Sequence, residues 1–187
     1  MFVDLARRYC EPHRAYHILT HPAEMIAVGM ELGGLSNEQI AAIWYHDAVY
    51  EPGASDNEEK SVMLAYDHYF KMDFGREDLF RFDIVAQIIR DTKDHIATIE
   101  ESKRVIDLDL RELGSGLLHY WENAKRIRRE FGAFSDEEWK IGRIKFLEKM
   151  LNRSIFYTEP FVYDENAARF NMNYERQLLL DGIADYK

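Results

Sequence analysis

Cysteine is nearly missing from this chain. Cys10 is the only one among 187 residues, which excludes an internal disulfide and any thiolate-built zinc or iron-sulfur centre, so metal ligands would have to be His and carboxylate. No run of about 18 apolar residues occurs, nor a charged start leading into an apolar stretch. The expectation is a cytoplasmic chain with neither a membrane span nor a secretory signal. Linkers are lacking too, because no Pro-, Gly- or Ser-rich stretch divides a sequence with only four prolines, so one domain over residues 1–187 is expected. Positive charge is in deficit, with 24 Lys and Arg against 34 Asp and Glu and a formal net charge of −10. That balance tells against tracking a nucleic-acid polymer by counterion release. It leaves room for a small anionic substrate, provided a bound metal and a few Arg or Lys make one pocket locally cationic. Strand-like alternation of apolar and polar residues is absent as well, and the fold class expected is all-α.

What the chain does have is a buried-looking stretch with chemistry in it. From Ile40 to Tyr50 (IAAIWYHDAVY) the residues are apolar on almost every side, without Pro or Gly, and read as a helix surrounded by core. His46 and Asp47 sit in its middle. An aspartate buried there must be paired with a cation, heavily hydrogen-bonded or bound to a metal, because leaving it bare is costly. The adjacent imidazole makes the metal the sharper reading, although a His-Asp pair can also satisfy itself and nearby backbone. Ser36 caps this helix, with Glu38-Gln39 placed for a capping box. Downstream, Pro52 to Ser55 forms a loop and Asn57 caps the next helix, whose first turn carries Glu58 and Glu59. Glu58 reads either as a helix-dipole carboxylate or, so near the His-Asp pair in sequence, as a catalytic one.

Upstream, a helix is expected from His13 to Leu32, bent by Pro22 just after His21 and ended by Gly33-Gly34. Arg14, His17 and His21 then share a face, and two histidines at i and i+4 beside an arginine suggest a polar pocket. Past a break at Gly75, Asp78 to Thr92 gives an amphipathic helix with Phe82, Val85, Ile88 and Ile89 on one side. It ends in Asp91-Thr92-Lys93-Asp94-His95, a polar cluster with no packing reason to be there. In Leu108-Asp109-Leu110 a carboxylate again sits among apolar neighbours. Helices are expected from Gly116 to Phe131, from Ser135 to Leu151 and from about Asp164 to Leu180. Aromatic residues in the last one leave room for a homodimer face.

Taken together, the candidate ligands run His17, His46-Asp47, Asp109, each from a different helix or helix end. Two imidazoles and two carboxylates without a thiol suit Mn, Fe, Co, Ni, Zn or Mg as a divalent ion. The order H…HD…D resembles the HD-domain metal-dependent phosphohydrolases, a superfamily of helical proteins. The likeness extends to a small bacterial-type group of HD-superfamily phosphohydrolases. It runs through Tyr9, Pro12, Arg14, Tyr16-His17 and His21, then Trp44-Tyr45-His46-Asp47 with Tyr50, Asn57-Glu58 and Ser61. It continues through Thr92-Lys93, His95, Asp107 to Leu110, Gly142-Arg143 and Ala168-Arg169, and so covers nearly the whole chain.

The resemblance implies a single-domain helical bundle of the HD type and roles for particular residues. His17, His46, Asp47 and Asp109 would hold a divalent metal ion, with Asp107 the second claimant for the last place, and water activated at that metal would attack phosphorus. Some HD hydrolases carry a Glu three residues after the HD aspartate, where this chain has Tyr50. Glu58, ahead of Glu51, therefore stands as general acid or base, with Tyr50 able to hydrogen-bond a phosphate or water. Arg14, Lys93 and Arg143 would hold phosphate oxygens, and His21 and His95 would lie in the pocket around the metal. The substrate implied is a small phosphate ester or anhydride such as a nucleotide. Two other readings stand beside it: a di-iron oxygenase on the same scaffold, using His68 and His95 as extra ligands, and a metal-containing nucleotide-binding module without catalysis, which the missing Glu favours.

Overall fold

In the computed structural model, which describes residues 2–71 and 81–186, all regular structure among the described residues is helical. The helices are α1 (Phe2–Arg8), α2 (Thr20–Glu31), α3 (Asn37–Tyr45), α4 (Asn57–Lys71), α5 (Phe82–Asp94), α6 (Glu100–Leu110), α7 (Leu117–Glu130), α8 (Asp136–Leu151) and α9 (Glu165–Leu180). Short 3-10 turns at Arg111–Gly114 and Phe161–Asp164 precede α7 and α9. The chain forms two compact units, one ending at Asp109 and one beginning at Leu110. None of the described helices is long and apolar enough to cross a membrane. The Gly75 break and the Asp78 start expected from the sequence lie outside the described residues.

In the unit ending at Asp109, local signals set most boundaries. Ser36 Oγ accepts from the Gln39 N–H at 3.2 Å while the Ser36 N–H donates to Gln39 Oε1 at 3.0 Å, a complete capping box for α3. Helix α2 begins at Thr20 rather than His13, which puts Pro22 in the first turn. There its missing N–H would have had no helical acceptor, so the proline does not bend the helix. Gly33 and Gly34, at φ 114° and 94°, follow its end in conformations that favour glycine. The core holds Met25, Ile43, Val85, Ile88, Ile89, Ile106 and Leu108 without solvent exposure, and burying such a side chain is worth roughly 1.5–3 kcal/mol. Gly29 permits α2 and α6 to close, because a Cβ there would stand 2.6 Å from the Leu35 side chain and 3.0 Å from that of Leu108. Gln39 Nε2 donates to the Glu101 carbonyl at 3.0 Å and Arg104 to that of Leu32 at 2.6 Å. Asp109 is thus carried at the end of a helix anchored along its length.

In the unit from Leu110, a second capping box of Ser135 and Glu138 starts α8. Asn171 of α9 donates to the carbonyls of Leu113 and Ser115, at 2.9 and 2.8 Å, and fixes the first 3-10 turn. Leu147, Met150, Ile155 and Met172 are fully buried, and the same unit buries an ion pair of Arg143 and Glu175.

Candidate metal centre

Helix α3 stops at Tyr45, one residue before the His-Asp pair, although His46 to Tyr50 contains neither Pro nor Gly. Distant side chains supply what the helix would have supplied. Arg14 Nη1 donates to the Asp47 carbonyl at 2.8 Å and Nη2 to that of Ala48 at 3.3 Å. The Val49 N–H donates to Ser61 Oγ at 3.0 Å, and His13 Nε2 lies 2.9 Å from the Tyr50 carbonyl. With the backbone of residues 47–50 satisfied by these partners, tertiary bonds override local helix propensity. His46 becomes the C-cap residue and Asp47 the first residue beyond it, which is where the expected helix through Tyr50 is corrected.

Around this turn four donor atoms converge. His21 Nε2 and His46 Nε2 are 3.3 Å apart; Asp47 Oδ2 is 3.0 Å from His46 Nε2 and 3.7 Å from His21 Nε2. Asp109 Oδ1 approaches the same two nitrogens at 3.1 and 3.7 Å. Ligands bound to one ion at about 2.1 Å stand about 3.0–3.4 Å from one another, so the spacing of His21, His46 and Asp47 is that of a group able to hold a metal. The tautomer agrees. His46 Nδ1 lies 2.8 Å from the Ile43 carbonyl, which can only accept, so Nδ1 carries a hydrogen and Nε2 is the nitrogen turned to the centre, where a metal would displace its proton. Oxygen and imidazole donors without sulfur fit the hard-to-borderline ions expected from the sequence.

The electrostatics follow from burial opposed by pairing. Burial pushes the Asp47 carboxyl up, yet the imidazoles of His46 and His17 outweigh it and leave it well below the usual carboxylate range. Asp109 is treated likewise, burial being overcome by hydrogen bonds from His21, His46 and His95. For His46, burial disfavours the cation, but Asp47 and Asp109 more than compensate and raise it well above the ordinary histidine value. His21 goes the other way, because its burial exceeds the help from Asp109. The centre therefore keeps both carboxylates ionised at neutral pH.

Other expected residues gather nearby. His17 Nε2 lies 3.9 Å from Asp47 Oδ2, its ring 4.4 Å from that of Tyr50. The sequence expectation of a helix through His17 does not hold, since the segment from Pro12 to Leu19 is irregular. His95 Nε2 is 3.3 Å from Asp109 Oδ2, and the residue sits at φ 53°, a left-handed conformation that costs a non-glycine residue energy and here ends α5. The polar cluster before it has a structural purpose: Asp91 accepts from the Thr98 N–H at 2.7 Å and from Gln87 at 2.7 Å, folding the chain back after the helix. Glu58 is half-buried, and that burial raises its pKa, with Asp47 adding to the rise and Lys93 and His95 opposing it. The Lys93 ammonium donates to the Ser55 carbonyl. Asn57 pins the loop between, its amide bonding both the N–H and the carbonyl of Glu51. Asp107 is fully buried, whereas it is Asp109 whose carboxylate faces His21 and His46.

Arg14 and Arg143 are engaged elsewhere than on an open pocket. Arg14 is committed to backbone carbonyls, as above. Arg143 belongs to the unit from Leu110, where its Nε and Nη2 meet the two carboxylate oxygens of Glu175 at 2.9 and 3.0 Å. His68 lies with Tyr45, 3.0 Å from its hydroxyl, and 3.4 Å from Asp4. Two residues given no role from the sequence contribute here: His13, through the Tyr50 carbonyl, and Tyr16, whose ring lies 4.9 and 5.3 Å from those of His17 and His21. Tyr16 was signalled by its adjacency to His17 within the stretch that carries the resemblance, and His13 only by lying four residues before His17. No family model, curated protein or solved structure matches this chain, so the chemistry rests on the geometry of these residues.

Proposed function

We propose that the chain is a metal-dependent phosphohydrolase of the HD type, acting in the cytoplasm on a small phosphate ester or anhydride such as a nucleotide. The observation that carries the reading is the convergence of His21, His46 and Asp47, joined by Asp109, in the order and donor chemistry of the HD pattern. His46, Asp47 and Asp109 would hold a divalent ion together with His21, and His17 stands next to Asp47 as a further ligand or a water-orienting group. When bound there, such an ion would supply Lewis acidity to a phosphoryl oxygen and acidify water. Glu58, with its carboxyl raised by burial, takes a proton from the attacking water at its carboxylate and returns one to the leaving oxygen. Lys93, whose ammonium bonds the Ser55 carbonyl and keeps two further N–H donors, is the cation of the expected set assigned to a phosphoryl oxygen, and Tyr50 and His95 complete the lining. The oxygenase reading gains nothing from His68, whose ring pairs with Tyr45 and Asp4.

The test is a phosphate-release screen over nucleoside mono-, di- and triphosphates and generic phosphoesters with Mn, Co, Ni and Mg and a chelator control. Chelator-sensitive release from one substrate class is the expected result. Tight metal binding with no release from any of them would replace this reading with that of a binding module.

A further inference from the structure

Arg14 lies beside the metal centre without offering it a ligand. Its side chain has no solvent exposure, so its guanidinium acts entirely within the protein. Nη1 donates to the carbonyls of His17 and Asp47 at 3.0 and 2.8 Å, Nη2 to that of Ala48 at 3.3 Å, and Nε to Glu11 Oε2 at 3.1 Å. The rings of Tyr9 and Tyr50 lie 5.1 and 5.3 Å from its central carbon, and the Tyr9 hydroxyl donates in turn to the Trp44 carbonyl at 3.1 Å. The fork is thereby held in place by aromatic faces and a carboxylate while its other N–H groups reach three carbonyls on two chain segments.

We propose that Arg14 is a positioning residue of the metal centre, holding the Asp47–Ala48 turn and the His17 backbone in one fixed relation so that the Asp47 carboxylate faces His21 and His46 with the His17 imidazole beside it. The inference rests on the metal-dependent reading above and adds a residue to it. Asp47 sits past the end of α3 and His17 in an irregular segment, so neither side chain is aimed by a helix. Their directions are set by what holds their backbone, and the carbonyls of His17 and Asp47 themselves are met by one guanidinium. Ligands supported in this manner lose affinity for their ion when the support is removed, by 10- to 100-fold in roughly comparable sites. Lysine cannot replace the fork, because its three donors radiate from a single nitrogen and do not span separated carbonyls.

The competing role, a phosphate holder, makes the opposite demands and can be separated in one set of titrations on the full chain. Parent protein, Arg14→Lys and the core control Ile88→Val are stripped with chelator and titrated with Co2+, following the visible absorption of the bound ion, with helix content and thermal unfolding of each stripped protein recorded alongside. The expected result is a dissociation constant raised about 10- to 100-fold in Arg14→Lys, with a changed absorption band and helix content retained. Ile88→Val, which removes a buried methyl group and touches none of the Arg14 hydrogen bonds, should bind as the parent does. The inference is overturned if Arg14→Lys binds Co2+ within twofold of the parent, or if Ile88→Val weakens in parallel and shows the effect to be general loosening. Unchanged Co2+ binding in Arg14→Lys with weakened inorganic phosphate binding to the Co2+ form would assign Arg14 to phosphate instead. A parent that binds no Co2+ removes the metal reading itself, an outcome distinct from loss in the variant alone.

Discussion

In the unit from Leu110, the buried carboxylate of Glu175 meets Arg143 at two points and also accepts from the hydroxyls of Tyr120 and Tyr186. In the unit ending at Asp109, the carboxylates of Asp47 and Asp109 meet imidazoles, and two Nε2 atoms of the same kind face each other at 3.3 Å. The first cluster has a donor for each demand and is closed over by the rings of Trp139 and Phe146 beside the guanidinium. The second gathers two carboxylates and two imidazole nitrogens, all of metal-ligand type, about one point. A cluster of the first sort is a structural pair, replaceable by packing, whereas one of the second sort asks for a cation.

The contrast can be broken most severely at the second cluster. His46→Ala or Asp47→Ala should abolish metal binding and phosphate release together, read by metal analysis after dialysis and by the release assay, while the buried pair of the other unit is untouched. The next largest effect belongs to Glu175→Ala, which strands Arg143 and should destabilise the protein by about 3–5 kcal/mol, seen in denaturant unfolding through the fluorescence of Trp121 and Trp139, without change in metal affinity. Combining Glu175→Leu with Arg143→Met should restore most of that loss, which no pairing of apolar residues could do at His46 and Asp47. Glu58→Gln sharpens the comparison from within the site. It should retain the metal and lower turnover by about 100-fold or more. Because burial raises the Glu58 carboxyl and the carboxylate is the form that accepts a proton, the parent's rate should fall as pH drops through that raised value, and Glu58→Gln should lack this limb.

The smallest effect is one of pH on the closed pair. Burial pushes Glu175 up, but Arg143 and the tyrosine hydroxyls outweigh it and hold the carboxyl below its ordinary value. A depressed carboxyl stabilises the fold fully above the unfolded pKa of about 4.3 and loses that contribution as pH falls through the folded value. Unfolding of parent protein should therefore show a Glu175-dependent loss only on the acid side of that range, and Glu175→Gln should flatten it.

What the sequence could reveal divides along the same physical line. Helices begun by a local cap were legible, as at Ser36 and Ser135, and α9 spans Glu165–Leu180 against an expectation of about Asp164 to Leu180. The all-α class followed from the missing alternation. The end of α3 at Tyr45 was not legible, because the partners of the N–H and carbonyl groups of residues 47–50 are Arg14, Ser61 and His13, which lie outside the helix in sequence. The irregular path from Pro12 to Leu19 has the same origin, since it closes around Arg14. At the site, the residue types were readable and their assignments less so. His21, expected in the pocket around the metal, stands among the converging donors, and Arg143, expected at a phosphate, is bound to Glu175. A basic residue's partner is a matter of tertiary packing, which spacing along one helix does not encode.

The central claim is that the converging histidines and aspartates of the unit ending at Asp109 form a cation site. Calorimetric titration of chelator-treated protein with Mn2+, run on the parent and on His46→Ala, tests it most directly. The account predicts saturable uptake of about one ion per chain by the parent, with proton release as ligands are freed, and no uptake by the variant. A parent that takes up no ion, or a His46→Ala variant that binds as the parent does, would contradict it.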